Sequence, residues 1–190
     1  HLETAIFLLE AGADMTQKTR NGSTPLHFAI QFGHTEIVRL FLDRGATFPN
    51  ILQIASQYSW VEIIQLLLNR GENVNQTDQC GITALHVASR WGHVEVLKTL
   101  LFHGAEINKT VLLGKIFRKK RLTPLRIAAN NGHTESVRIL LQNKATVPPD
   151  MARNATILAV TSAPFHAASS SSHAGGASGH HPSSTSKTAP

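Results

Sequence analysis

The chain has 190 residues, 42% of them hydrophobic, with 18 Lys and Arg against 12 Asp and Glu, 11 His and a single Cys. That length and apolar content support one buried core with polar sequence to spare. The lone Cys80 excludes an internal disulfide framework and suits a reducing compartment such as the cytoplasm, and no apolar run approaches the roughly 20 residues of a membrane span.

In chain order, His1-Leu2-Glu3 aligns with His34-Thr35-Glu36 and with His93-Val94-Glu95. Residues 1–22 therefore read as the second half of a truncated unit, a helix over 1–11 and a hairpin from Gly12 to Gly22. The chain is expected to be a fragment of a longer array. The first complete unit, residues 23–46, opens with Thr24-Pro25-Leu26-His27 and continues through Ala29 to Gly33-His34. Thr24 is suited to cap a helix by accepting backbone N–H groups, and Pro25 fits the first helical position because no hydrogen bond is lost there. Leu26, Ala29, Ile37, Val38, Phe41 and Leu42 have the three-and-four spacing of a buried stripe, and Gly33 and Gly45 stand where a left-handed residue ends a helix. His27 and His86 are expected to hydrogen-bond the capping threonine and neighbouring backbone. The next connection, Gly45 to Asn50, lacks seven residues, so no paired strands are expected there.

The second unit, Phe48 to Gly81, is degenerate. Pro49-Asn50 stands in place of Thr-Pro, Gln53 in place of the histidine, and Ser59-Trp60 in place of Gly-His. Leu52, Ala55, Ile63, Ile64, Leu67 and Leu68 stay in phase and still predict two helices. The third unit, Ile82 to Asn108, repeats the first with Thr83-Ala84-Leu85-His86 and Gly92-His93. Residues 109–121 then carry six cations, Lys109, Lys115, Arg118, Lys119, Lys120 and Arg121, and no acid, while the other twelve cations balance the twelve acids. The basic balance thus belongs to one loop, which argues against a general nucleic-acid surface. A fourth unit, Leu122 to Val147, carries Thr123-Pro124-Leu125-Arg126 and Gly132-His133. Within 148–160, the stretch 154–160 is expected to form a short helix capping the end of the stack. Residues 161–190, rich in Ser, Ala, Gly, His and Pro with one charge at Lys187, are expected to be disordered.

His27, Gln53, His86 and Arg126 follow one another at intervals of 26, 33 and 40 residues, which average to a 33-residue period. Units of this size hold no core alone and must stack. Thr-Pro-Leu-His, the Ala three residues after the Leu, Gly-His, an apolar helix with Leu-Leu and a closing Gly-Ala resemble the ankyrin repeat over residues 1–147. The resemblance implies an all-α solenoid of stacked helix pairs, with β-hairpin loops projecting at right angles, that binds another protein through its inner surface. That surface is built by the hairpin tips and the exposed side of each first helix. On this sequence it places Gln31-Phe32, Gln57-Tyr58, Arg90-Trp91 and Asn130-Asn131 as partner-binding candidates. Phe32, Tyr58 and Trp91 then form either an exposed aromatic stripe or lateral packing between neighbouring helices.

The basic loop has three readings: a solvated insertion, an electrostatic contact for an acidic partner or membrane surface through Lys115, Arg118, Lys119, Lys120 and Arg121, or a nuclear-import signal at 118–121. Most of the eleven histidines fall in the repeat slots or the tail, and with one cysteine there is no Cys/His zinc spacing. The Asn-x-Ser/Thr triplets at Asn21, Asn108 and Asn154 read as chance. No phosphate-binding glycine loop, acid–base pair or activated nucleophile stands out, so neither catalysis nor a cofactor or small-molecule substrate is expected. Three roles remain: an adaptor or scaffold whose output is the complex, an array that targets or regulates a larger enzyme, channel or toxin, or a surface effector that works through the basic loop.

Overall fold

The computed structural model describes residues 1–113 and 120–162. First helices of successive units, α2 (Pro25–Gln31), α4 (Ile51–Gln57), α6 (Ala84–Trp91) and α8 (Pro124–Asn130), pack side by side in chain order. Second helices, α1 (Leu2–Glu10), α3 (Thr35–Asp43), α5 (Val61–Asn69), α7 (Val94–Phe102) and α9 (Thr134–Gln142), form a second layer behind them. One continuous core runs between the layers, built from the repeated Leu and Ala of each first helix (Leu26, Ala29, Leu85, Ala88, Leu125, Ala128) and the Val, Ile and Leu of each second helix.

Local chemistry explains the helix starts. Thr24, Thr83 and Thr123 adopt extended backbone, and each hydroxyl oxygen accepts the N–H of the residue three along, at 3.4, 3.4 and 3.2 Å. In the degenerate unit Asn50 (φ 62°) precedes α4 without a side-chain cap, so that helix relies on burial of Ile51, Leu52 and Ala55.

The stacking itself rests on the residue after each first helix's terminal turn. His34, Trp60, His93 and His133 share one backbone conformation at the head of the second helices, and none of their side chains caps its own helix. Instead the rings of the last three reach back to the preceding unit. Trp60 Nε1–H donates to the Gln31 carbonyl (3.4 Å), His93 Nε2–H to Gln57 (3.1 Å) and His133 Nε2–H to Arg90 (2.9 Å). These carbonyls lie in the last turn of a helix, where no intrahelical partner exists. Trp60 therefore replaces histidine in function as well as position, since indole and imidazole both present a ring N–H. Ser59 (φ 63°) takes the left-handed conformation that glycine holds in the other units.

A second cross-unit link joins the bases of the projecting connections. Asn75 donates to the Gly104 carbonyl (3.2 Å) and accepts the Glu106 N–H (2.7 Å), and Asn108 accepts the Thr146 N–H (2.9 Å).

The connections differ in their closure. Residues 12–23 and 71–82 turn back through Thr19 N–H to Ser23 and Asp78 N–H to Ile82. The shortened connection at 45–50 forms no strand pair. The insertion after α7 carries the only ladder among the described residues, β1 (Val111–Leu113) antiparallel to β2 (Lys120–Leu122), with Val111 opposite Leu122. A wholly solvated loop over 109–121 is thus corrected at its stems: Val111 is 2% exposed, and strand pairing carries the chain out and back. Lys120 and Arg121 fall in β2, whereas Lys115, Arg118 and Lys119 lie outside the described residues.

At the far end α10 (Ala155–Ser162) packs on α8 and α9. Asn154 Oδ1 accepts the Thr156 N–H (3.0 Å), and the Thr156 hydroxyl donates to the Ala129 carbonyl (3.1 Å). The disorder expected from residue 161 is corrected for Thr161 and Ser162, which complete α10; residues 163–190 lie outside the described residues.

The close approach of each ring gives a mutational test. A Cβ on Gly92 (φ 74°) would sit 2.6 Å from His133 Nδ1, whereas one on Gly104 (φ 82°) meets nothing within 4 Å. Gly104→Ala is expected to cost about 1–2 kcal/mol from backbone strain alone. Gly92→Ala adds displacement of the His133 ring from the Arg90 carbonyl and is expected to cost about 1 kcal/mol more, measured by urea unfolding of both variants. Val111→Ala is expected to destabilise by about 2 kcal/mol, since it removes buried apolar surface; an unchanged unfolding midpoint would mean the insertion's stem does not pack.

Candidate protein-binding groove

The four first helices turn one face away from the second layer. On that face each helix shows two residues four positions apart: Phe28 and Phe32, Ile54 and Tyr58, Val87 and Trp91, Ile127 and Asn131. Because the helices are adjacent, these pairs form two rows across the stack. The outer row contains the aromatics expected from sequence. Phe32 is 61% exposed and Trp91 51%, whereas Tyr58, at 38%, is covered over most of its surface. The inner row, Phe28, Ile54, Val87 and Ile127, was missed. Its signal was present as an apolar residue directly after each His27, Gln53, His86 and Arg126.

Between α6, α8 and the base of the insertion the rows deepen into a cleft of about 640 Å³. Gln57, Arg90, Trp91, Asn130 and Asn131 of the candidate residues line it, while Gln31, Phe32 and Tyr58 lie outside it. Val87 and Ile127 of the inner row, with Ile82, Val111 and Leu122, supply an apolar lining; the last two join it only because the base of the insertion lies against α6 and α8. Four candidates have part of their polarity committed elsewhere, since the Gln57 and Arg90 carbonyls accept from His93 and His133. Asn131 Nδ2–H donates to the Ile127 carbonyl (2.8 Å) and closes its own helix, and Gln31 is half-buried with its carbonyl taken by Trp60.

One position per unit ties the first helix to the connection that follows. His86 is buried: Thr83 N–H and Oγ–H point at Nδ1 (3.3 and 2.7 Å), and Nε2–H donates to the Lys109 carbonyl (3.0 Å). This bonding requires the neutral Nε2–H tautomer. Burial pushes the imidazole below its ordinary pKa, partly offset by the Lys109 and Leu122 carbonyls. Gln53 does the same work with an amide, donating to the carbonyls of Gln76 (2.9 Å) and Ile82 (3.2 Å). Arg126 bonds the Asp150 carboxylate (2.6 Å), whose pKa is lowered by that contact. His27 departs from expectation. With no hairpin after its unit it lacks a carbonyl partner; its Nδ1 is buried without a hydrogen bond, and its ring packs against Phe48 at 5.0 Å.

The groove offers aromatic faces, an apolar floor and the exposed Arg90 guanidinium. Among the described residues no group of His, Cys, Asp or Glu is placed to hold a metal ion, and no helix is long and apolar enough to cross a membrane.

Family models match along nearly the whole described region. Ankyrin repeats (many copies) match residues 1–42, ankyrin repeats (3 copies) match residues 45–111, and a single ankyrin repeat matches residues 120–154. No curated protein matches the chain.

The His86 pillar predicts a pH response. Its folded pKa lies below that of the unfolded chain, so the folded state binds fewer protons, and stability present above about pH 6.5 is lost as pH falls. His27, lowered by burial, acts in the same direction. His86→Gln, which copies the solution that Gln53 provides, is expected to stay within about 1 kcal/mol of the parent at pH 7.5. It is also expected to lose less stability on going to pH 5, as measured by unfolding at both pH values. An equal or steeper acid loss in the variant would contradict the pillar's role.

Proposed function

The chain belongs to the ankyrin-repeat family, a class of protein–protein interaction modules, and from that premise we propose that it binds a partner protein through the groove of its first helices. The observation that carries this reading is the exposed aromatic row Phe32, Tyr58 and Trp91 beside the apolar cleft. Three adjacent units each leave a large ring open to solvent, and aromatic side chains together with Arg dominate binding energy at interfaces. The residues proposed to contact the partner are Gln31, Phe32, Gln57, Tyr58, Arg90, Trp91, Asn130 and Asn131. Trp91 and Arg90 lie at the cleft and are the anchors, and Gln31 sits at the margin because half its surface is covered. Repeat domains of this family are typically non-catalytic, and the output here is the complex itself.

Truncation of the rings separates binding from folding. Trp91→Ala is expected to weaken partner binding by roughly 2 kcal/mol or more, as for a central aromatic anchor. Its effect on unfolding should stay well under the roughly 3–5 kcal/mol of a fully buried aromatic. Phe102→Ala removes a ring that is 87% exposed on α7, in the second layer, and should leave affinity unchanged. Titration calorimetry and urea unfolding of both variants provide the measurements. Equal affinity losses for Trp91→Ala and Phe102→Ala would remove the groove from the binding surface.

A further inference from the structure

The twelve acids of this chain are partitioned. Seven lie in second helices: Glu3 and Glu10 in α1, Glu36 and Asp43 in α3, Glu62 in α5, Glu95 in α7 and Glu135 in α9. The other five, Asp14, Glu72, Asp78, Glu106 and Asp150, lie in connections, and none lies in α2, α4, α6 or α8. Most are already engaged. Glu36, Glu95 and Glu135 pair with cations three residues along their own helices, and Asp43 pairs with Arg70 of the next unit. In the connections Asp14 accepts from Thr16, Asp78 Oδ1 accepts the N–H groups of Cys80 and Ile82, Glu106 pairs with Lys109, and Asp150 pairs with Arg126. Among the described residues lining the cleft there is no carboxylate. Their one charged side chain is Arg90, since the bonding of His86 holds that ring neutral. The lining residue Leu122 ends β2, directly after Lys120 and Arg121, in the segment with the largest excess of cations over acids in the sequence.

From this distribution we infer that the cleft between α6, α8 and the base of the insertion takes an acidic protein segment bearing an aliphatic or aromatic anchor. The inference rests on the groove reading and narrows it to one class of partner. Val87, Ile127, Val111 and Trp91 form the seat for the anchor, and the seat is too apolar to be filled by charge alone. Arg90 at its edge meets Asp or Glu flanking that anchor, with no opposing carboxylate among the described lining residues. Desolvation inside the cleft strengthens the Arg90 contact relative to an exposed pair, and complementarity of this kind speeds association and rejects basic partners.

The test is a selection on the chain itself. A random twelve-residue peptide library displayed on phage is panned against the 190-residue chain and against two variants, Arg90→Glu and Trp91→Ala, each first checked for unchanged unfolding. Peptides recovered on the parent are expected to carry at least two Asp or Glu around a Leu, Phe or Trp. As free synthetic peptides, they should lose at least tenfold in affinity on Arg90→Glu and on Trp91→Ala, and weaken further as salt is raised. Trp91-dependent peptides with no acidic enrichment, or peptides indifferent to Arg90→Glu, would overturn the acidic-partner inference and leave the groove reading in place. Failure to recover any peptide that depends on Trp91 would overturn both. Vesicles of phosphatidylcholine with phosphatidylserine serve as the lipid arm. Retention of the chain by them at a level that Trp91→Ala does not change, together with competition against the selected peptides, would assign the cations to a membrane surface and overturn the inference.

Discussion

The stack depends on a ring N–H reaching back one unit. At the end of each first helix the last carbonyls have no partner within the helix, and a donor from the next unit can supply one. Trp60, His93 and His133 satisfy the carbonyls of Gln31, Gln57 and Arg90 from the following unit. A unit is therefore completed only by its successor, which is why single units of this length do not fold alone. The same reach brings the ring so close that Gly33 and Gly92 have no room for a Cβ, beyond their positive φ. The substitution of Trp for His at position 60 shows that a ring with an N–H, rather than an imidazole as such, is what the site requires.

A second constraint sits at the third residue of each first helix. Four side chains solve one problem, holding the next connection against the stack. Gln53 uses two amide donors, His86 one imidazole donor, Arg126 an ion pair, and His27 packs at a tilt against Phe48 where no hairpin follows. These anchors place the groove wall. Where His86 binds the Lys109 carbonyl, the base of the insertion is drawn over α6, and the shallow inner face becomes a cleft.

Charge and shape then divide the two sides of the array. Five of the seven acids on the second helices sit in the first turn, where they favour the helix dipole, and three of these pair with a cation three residues on. The first helices carry no acid and turn aromatic and aliphatic residues outward, so one side is a solvated shell and the other is available for contact.

The helices, their phase and their ends were legible in the sequence because each depends on short-range chemistry. A threonine caps the residue three along, a three-and-four stripe buries Leu26 or Leu85, and glycine takes positive φ most readily. The aromatic row was legible for the same reason, as helical phase puts Phe32, Tyr58 and Trp91 at equivalent positions. The partners of those elements were not. Which carbonyl Trp60 reaches, that Asn75 and Asn108 bridge to the next unit, and that Val111 is buried opposite Leu122 all depend on groups brought together across 11 to 38 positions. Such contacts are set by how units stack and by how long each connection is, and connection length varies freely at small entropic cost. Sequence alone determined the repeated element and the face it exposes; tertiary structure decided where that face becomes a cleft, because only stacking places an insertion's stem over the helix before it.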